Sequence, residues 1–220
     1  MGERAIWDVP VRLFHWALAI LAVASFVTGK VAGGWMAWHL RSGYAILALL
    51  LFRLAWGVAG GDTARFRNFL HGPRAVIDYA RSLEALRPAP WVGHNPLGGW
   101  VVMLMLAVLL LQAATGLFSD DEIATQGPLA SRVADAVVAR MTSVHKANGW
   151  VIAAVVAVHV AAIAIYQWRL KVNLAGPMVH GGALPEGSDS RHASHILALA
   201  LFAAACAAVY WLVTIVPRSP

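Results

Sequence analysis

The 220-residue chain holds a single cysteine, Cys206, so it has neither an intrachain disulfide nor the thiolates for an iron–sulfur cluster. Cys206 lies in an apolar run and reads as a small buried apolar residue. Charge is also scarce. Asp, Glu, Lys and Arg together make up 13% of residues, about half the share of a typical soluble domain. There is no internal repeat and no low-complexity tract. No residue set resembles a hydrolytic triad, a phosphate-binding loop or a nicotinamide-binding turn, which sets those enzyme classes aside.

What replaces charge is hydrocarbon: 60% of residues are hydrophobic and the mean hydropathy is +0.65. Long apolar runs cover Val11–Gly29, Trp38–Ala59, Pro96–Phe118, Lys146–Trp168 and Ala193–Val216. Each has the roughly 20 residues that a helix needs to cross a bilayer. None alternates as a barrel strand does, so the fold class is an all-α integral membrane bundle. The first run is read as a retained span and not a cleaved signal peptide, because Glu3 to Asp8 is mixed in charge and His15 interrupts the apolar stretch. Trp7, Trp16, Trp35, Trp38, Trp91, Trp100, Trp150 and Trp168 fall near span ends, as an aromatic belt would.

Basic residues orient the spans. One side holds Arg4, Arg12, Arg65, Arg67, Arg74, Arg81, Arg87, Arg169, Lys171 and Arg191. The other has Lys30, Arg41, Arg132, Arg140, Lys146 and Arg218, together with the acidic Asp120-Asp121-Glu122. The positive-inside rule puts the N-terminus and the loop from Asp62 to Asn95 in the cytoplasm and the C-terminus outside. The net charge of +6 reflects this loop bias, not nucleic-acid binding. Residues 73–86 open with a proline and repeat Val76, Tyr79, Ala80, Leu83 and Leu86 at helical spacing, so a helix along the cytoplasmic interface is expected. Residues 128–141 are expected to do the same outside, while residues 87–91 and 184–190 read as turn-rich connectors.

Histidines then mark the chemistry. His145 and His159 are fourteen residues apart on one apolar run, close to four helical turns, so they share a face about 21 Å apart along the axis. His15 stands fourteen residues before Gly29 and matches the depth of His159. His39 opens the second span at the depth of His145. The four sort into two pairs, one per membrane side, with the members of each pair on different helices. Two facing imidazoles are what a low-spin iron porphyrin takes as axial ligands. No Cys-x-x-Cys-His motif is present, so such a haem would be held non-covalently. His71, His180, His192 and His195 read as surface residues, and His94 as structural, with capping the third span, touching a haem propionate or lining a quinone pocket as the roles open to it. Gly43 and Gly149, one turn from His39 and His145, leave room for a porphyrin face. Arg12, Arg41 and Lys146 flank the ligands and are candidate partners for haem propionates.

The run Trp7-Asp-x-Pro-x-Arg12-x-x-His15-Trp16, then Thr28-Gly29, His39 and Gly43, resembles the prokaryotic di-haem cytochrome b-561 family, which includes nickel–iron hydrogenase b-type subunits. Phe52-Arg53-x-x-Trp56-Gly57, Ala64-Arg65-Phe66, Gly93-His94-Asn95-Pro96-x-Gly98 and Thr115-Gly116-Leu117-Phe118 extend the likeness over about residues 5–182. The resemblance implies a four-helix domain at 1–182 binding two b haems (iron protoporphyrin IX). In it His15 with His159 would hold the cytoplasmic-side haem and His39 with His145 the outer one. Residues 183–220 then form a linker and a fifth span, absent from the simplest members. The expected activity is electron transfer across a bacterial inner membrane, between the quinone pool and a periplasmic c-type cytochrome, oxidoreductase or hydrogenase subunit. Superoxide oxidation coupled to quinone, and histidine-relayed proton transport, are the alternatives.

Overall fold

A computed structural model describes residues 5–31, 33–84, 91–184 and 191–218. Arg4, Leu86, Arg87 and the greater part of the two proposed connectors lie outside the described residues. The five long helices are α1 (Val9–Val31), α2 (Met36–Ala59), α5 (Pro96–Gly116), α6 (Asp135–Trp168) and α8 (His195–Thr214). Each is long and apolar enough to cross a membrane. Short helices α3 (Phe66–Phe69), α4 (Pro73–Glu84) and α7 (Ala175–His180) connect them. Side chains such as Val23, Val27, Val158, Leu199 and Trp211 are exposed, as surfaces solvated by lipid tails would be.

Helix starts follow local chemistry. Asp8 precedes α1 and its Oδ1 accepts the Val11 amide at 2.8 Å, satisfying a first-turn donor that lacks a helical partner. Asn95 does the same for α5, accepting the Gly98 amide at 2.7 Å, with Pro96 at the first helical position. The cap is thus Asn95, and His94 stands beside it.

The other starts depart from expectation in one place. Residues 128–141 do not form a separate surface helix. Ala130–Arg132 is a single 3-10 turn, and α6 begins at Asp135. No proline breaks the chain between Asp135 and Trp168, so one helix of 34 residues runs through. It is about 51 Å long against a hydrocarbon core of about 30 Å, so its first turns project beyond the apolar layer.

The chain divides into two compact units, to which all five long helices contribute. The unit made of residues 1–14, 53–105 and 155–198 is held by a buried polar and aromatic cluster. Asp8 Oδ2 accepts the indole N–H of Trp56 at 3.1 Å, and Trp56 is fully buried. Arg53, also buried, donates to the Ala64 carbonyl at 3.2 Å and lies 4.8 Å from the Phe66 ring centre. The chain before α8 is tied in as well, the Arg191 amide donating to Asp62 Oδ2 at 2.9 Å. In α4 the expected apolar face turns inward. Tyr79 is buried and its hydroxyl meets that of Tyr166 at 2.9 Å. Burial first, and that hydrogen bond second, push the Tyr79 phenol pKa up.

The second unit comprises residues 15–52, 106–154 and 199–220. Its core joins Leu47 and Ala48 of α2 to Leu117, Leu129 and Val209 of α8. Phe52 and Phe202 add an edge-to-face contact at 5.9 Å, so the fifth span packs on α2. Cys206 falls on the exposed face of α8, not in a core. A loop after α5 folds back on itself, with Gly127 donating to the Ser119 carbonyl at 2.7 Å. A Cβ at Gly127 would collide with the backbone of Gly116 and Leu117, so only glycine fits there.

Asp8→Ala is expected to cost roughly 1–3 kcal/mol, because it removes both a helix cap and the carboxylate that accepts the Trp56 indole N–H. Unfolding titrations in mixed detergent micelles check this. A change of about 0.5 kcal/mol or less, the range of an ordinary surface substitution, would show that the cluster contributes little.

Candidate functional site

His39 and His145 come together in the second unit. Their ring centres are 5.9 Å apart and their planes nearly perpendicular. Both line a cavity of about 240 Å³, along with Gly29, Gly43, Gly116 and Gly149. Two imidazoles ligating one metal from opposite sides, at roughly 2 Å per bond, leave their centres about 6 Å apart. The observed separation matches that requirement.

Hydrogen bonding decides which ring nitrogen is available. His39 Nδ1 stands 2.8 Å from the Ser25 carbonyl, and His145 Nδ1 stands 3.0 Å from the Gln112 carbonyl. A carbonyl can only accept, so each Nδ1 carries the proton and each Nε2 keeps its lone pair. This is the arrangement that orients a metal-binding histidine through its second nitrogen. The Gln112 side chain agrees: Asn148 donates to its Oε1 at 2.8 Å, which turns the Gln112 amide nitrogen toward His145 Nε2 at 3.1 Å. An amide donor there needs an acceptor, and an unprotonated Nε2 is one; a metal at this nitrogen would take the place of that amide. Asn148, buried in α6, also donates to the Val108 carbonyl at 2.9 Å.

Close packing fixes the rings from behind. A Cβ at Gly29 would stand 2.8 Å from His39 Nδ1, and one at Gly116 would stand 2.9 Å from His145 Cε1. Among the described residues no three His, Cys, Asp or Glu side chains gather as a ligand set. Two imidazoles suit a metal that arrives with its own equatorial nitrogens, as haem iron does.

The other histidines sit as follows. His15 is in the second turn of α1, with its ring 5.0 Å from that of Trp16. His159 is half-buried on α6, fourteen residues after His145 on the same helix. These two belong to different compact units. His94 is wedged between Trp7 and Phe69, at 4.6 and 4.5 Å between ring centres. Of the flanking cations, Lys146 lines the cavity. Arg12 donates to the carbonyl of Val179 near the end of α7. Arg41 is exposed, with its guanidinium 5.2 Å from the Trp38 ring centre. It does not line the cavity, since a residue two places after His39 sits about 200° around the helix from it.

The sequence reading gave no site role to Ser25, Lys30, Gln112, Thr115 or Asn148. A signal existed, because Gln112 and Asn148 are amides inside otherwise apolar spans, where such groups seek interhelical partners. The acidic turn is also more structured than a docking surface would require. Asp121 Oδ1 accepts the amides of Ile123, Ala124 and Thr125 at 2.8–2.9 Å. Those bonds, with Thr125 the largest contributor, hold its carboxyl down to about 2.

Comparison with known proteins now settles the family. The sequence profile of the prokaryotic cytochrome b561 family matches residues 6–181. The chain belongs to that family. Its similar relatives are probable Ni/Fe-hydrogenase B-type cytochrome subunits. The one from Cupriavidus necator is 24% identical over 208 residues, covering 80% of this chain and 85% of that protein. The one from Azotobacter chroococcum is 24% identical over 212 residues, covering 80% and 86%. The one from Rhizobium leguminosarum bv. viciae is 26% identical over 152 residues, covering 52% and 62%. No solved structure matches. The protein is therefore a membrane b-type cytochrome, with haem b as its cofactor and electron transport as its role.

Two outcomes follow from this geometry. Gly29→Ala and Gly116→Ala should each lower haem content while helicity is kept. The helix-propensity gain of up to about 1 kcal/mol is outweighed by roughly 1–3 kcal/mol of overpacking against the histidine rings. Haem-to-protein ratios with circular dichroism check it, and unaltered loading in both variants would disprove the packing claim. The second outcome concerns the acidic turn. A depressed carboxyl contributes stability above its unfolded value near 3.9 and loses it as pH falls toward about 2. Asp121→Asn should speed amide exchange at Ile123, Ala124 and Thr125 at neutral pH, and unchanged exchange would refute the anchoring role.

Proposed function

We propose that the chain is a di-haem electron carrier linking the quinone pool to a redox partner outside the bacterial inner membrane. The observation that carries this reading is the His39–His145 pair, with ring centres 5.9 Å apart, fixed tautomers and a glycine-lined cavity around them. His15 and His159 form the second ligand pair in this proposal. It is supported by the fourteen-residue interval that separates His159 from His145 on α6 and His15 from Gly29 on α1. The domain division at residues 1–182 and 183–220 belongs to the same reading.

A bound haem b supplies a one-electron Fe(III)/Fe(II) couple. The protein's part is to hold, orient and insulate it. The Ser25 and Gln112 carbonyls hold the two Nδ1–H groups and so orient both imidazoles. Apolar side chains of α1, α2, α5 and α6, among them Phe26, Leu47, Leu109 and Ile152, line part of the cavity. The excess of basic residues in the loop from Asp62 to Asn95 supports a cytoplasmic N-terminus and, with five spans, an outer C-terminus. That orientation places His39 and His145 on the outer side. The names of the relatives point to a hydrogenase subunit as the partner there.

Purified protein is expected to carry two extractable protohaems per chain. His15→Ala and His159→Ala should remove one haem, and His39→Ala and His145→Ala the other, as read in reduced-minus-oxidised spectra. Stopped-flow mixing with a quinol analogue should reduce the protein, and a hydrogenase or periplasmic c-type cytochrome should exchange electrons with it. One haem in a fully loaded chain, or the same signal lost in His15→Ala and His145→Ala, would overturn the pairing. Failure of every quinone analogue would overturn the quinone link, and rapid reduction by superoxide would favour the superoxide-oxidising alternative.

A further inference from the structure

Lys30, in the last turn of α1, is held over aromatic rings and not extended outward. Its Nζ is 4.3 Å from the Trp150 ring centre and 5.5 Å from that of Phe26. Phe26 and Trp150 themselves meet edge to face at 5.6 Å. Phe26 is one turn before Lys30 on α1, and Trp150 is one turn after Lys146 on α6, so each aromatic belongs to the same helix face as a lysine. Lys30 and Lys146 are the cationic side chains among the described residues lining the His39–His145 cavity. Among the described residues neither is ion-paired with a carboxylate. Of the acids that share the cavity, Asp120 bonds through both oxygens, and Asp121 through Oδ1, inside their own loop. Asp120 accepts from the Glu122 amide at 2.7 Å and the Gln126 side chain at 2.8 Å, and Asp121 accepts three amides.

Two uncommitted ammonium groups at one cavity suit a planar ligand with two carboxylates on one edge. We propose that Lys30 and Lys146 bind the two propionates of the haem seated between His39 and His145, and that Trp150 positions Lys30 for this. The proposal rests on His39 and His145 being that haem's ligands. Cation–π contact with Trp150 restrains a long flexible side chain, so less freedom is lost when the carboxylate binds. A charge-assisted hydrogen bond at the membrane boundary is also less screened than one in open water.

The test uses the haem-loaded full chain with Lys30→Gln, Lys146→Gln, Lys30→Arg and Trp150→Leu. The haem concerned is identified as the one missing in His39→Ala, and the remaining haem reports that each variant is folded. Removing a nearby positive charge favours ferric iron, so Lys30→Gln and Lys146→Gln should each lower the midpoint potential of that haem alone. Both should speed haem transfer to apomyoglobin several-fold and shift the carboxylate bands in redox-difference infrared spectra. Lys30→Arg should keep wild-type values, and Trp150→Leu should move them part of the way in the Lys30→Gln direction. Wild-type potential, release rate and infrared bands in both Gln variants would overturn the proposal and leave two lysines that only reach for the interface. A His39→Ala variant that loses no haem would instead overturn the ligand assignment beneath it.

Discussion

Inside hydrocarbon a polar side chain has no water to bond, so each one must be matched by another part of the chain. The site is organised by that requirement. His39 reaches from α2 to a carbonyl of α1, and His145 from α6 to a carbonyl of α5. Each bond crosses between helices, and each simultaneously selects the tautomer that leaves Nε2 able to bind metal. Packing and chemistry therefore rest on the same contacts. Asn148 and Gln112 extend the pattern, since an amide buried in a span can be satisfied only by a neighbouring helix.

Small residues make those crossings possible. Gly29 and Gly116 sit where a methyl group would press on the imidazole rings, and Gly43 and Gly149 open the cavity between the same helices. Away from the site the chain uses a different device. Asp8, Arg53 and Trp56 bury charge and indole in one cluster, holding the N-terminus of α1 and the end of α2 in register. Breaking one member of such a cluster costs more than any single contact is worth, because its partners remain buried.

The spans could be read from the chain alone because an apolar run of about 20 residues has few alternatives in a bilayer. Their ends moved by a few residues, and α6 began eleven residues earlier than its apolar run. Charged residues such as Asp135 and Arg140 stop a hydropathy reading but do not stop a helix, which needs only the absence of breakers. The interfacial segment at residues 73–84 was recognised as helical from its spacing. Its burial against Tyr166 was invisible there, since amphipathicity does not say whether lipid or protein covers the apolar face.

The amino-acid sequence by itself determined the helical membrane class, the histidine interval of four turns and the family pattern carried by Trp7 to His15 and beyond. These depend on local composition and on the pitch of one helix, which no tertiary contact alters. Tertiary structure decided which groups surround His39 and His145. Arg41 is a near neighbour of His39 in sequence yet faces away, because two residues turn a helix by about 200°. Ser25 and Gln112 are fourteen and thirty-three residues from the histidines they hold and arrive on other helices. Which faces of four near-uniformly apolar helices meet is set by side-chain shape and by polar groups seeking partners, and neither can be read along a single chain.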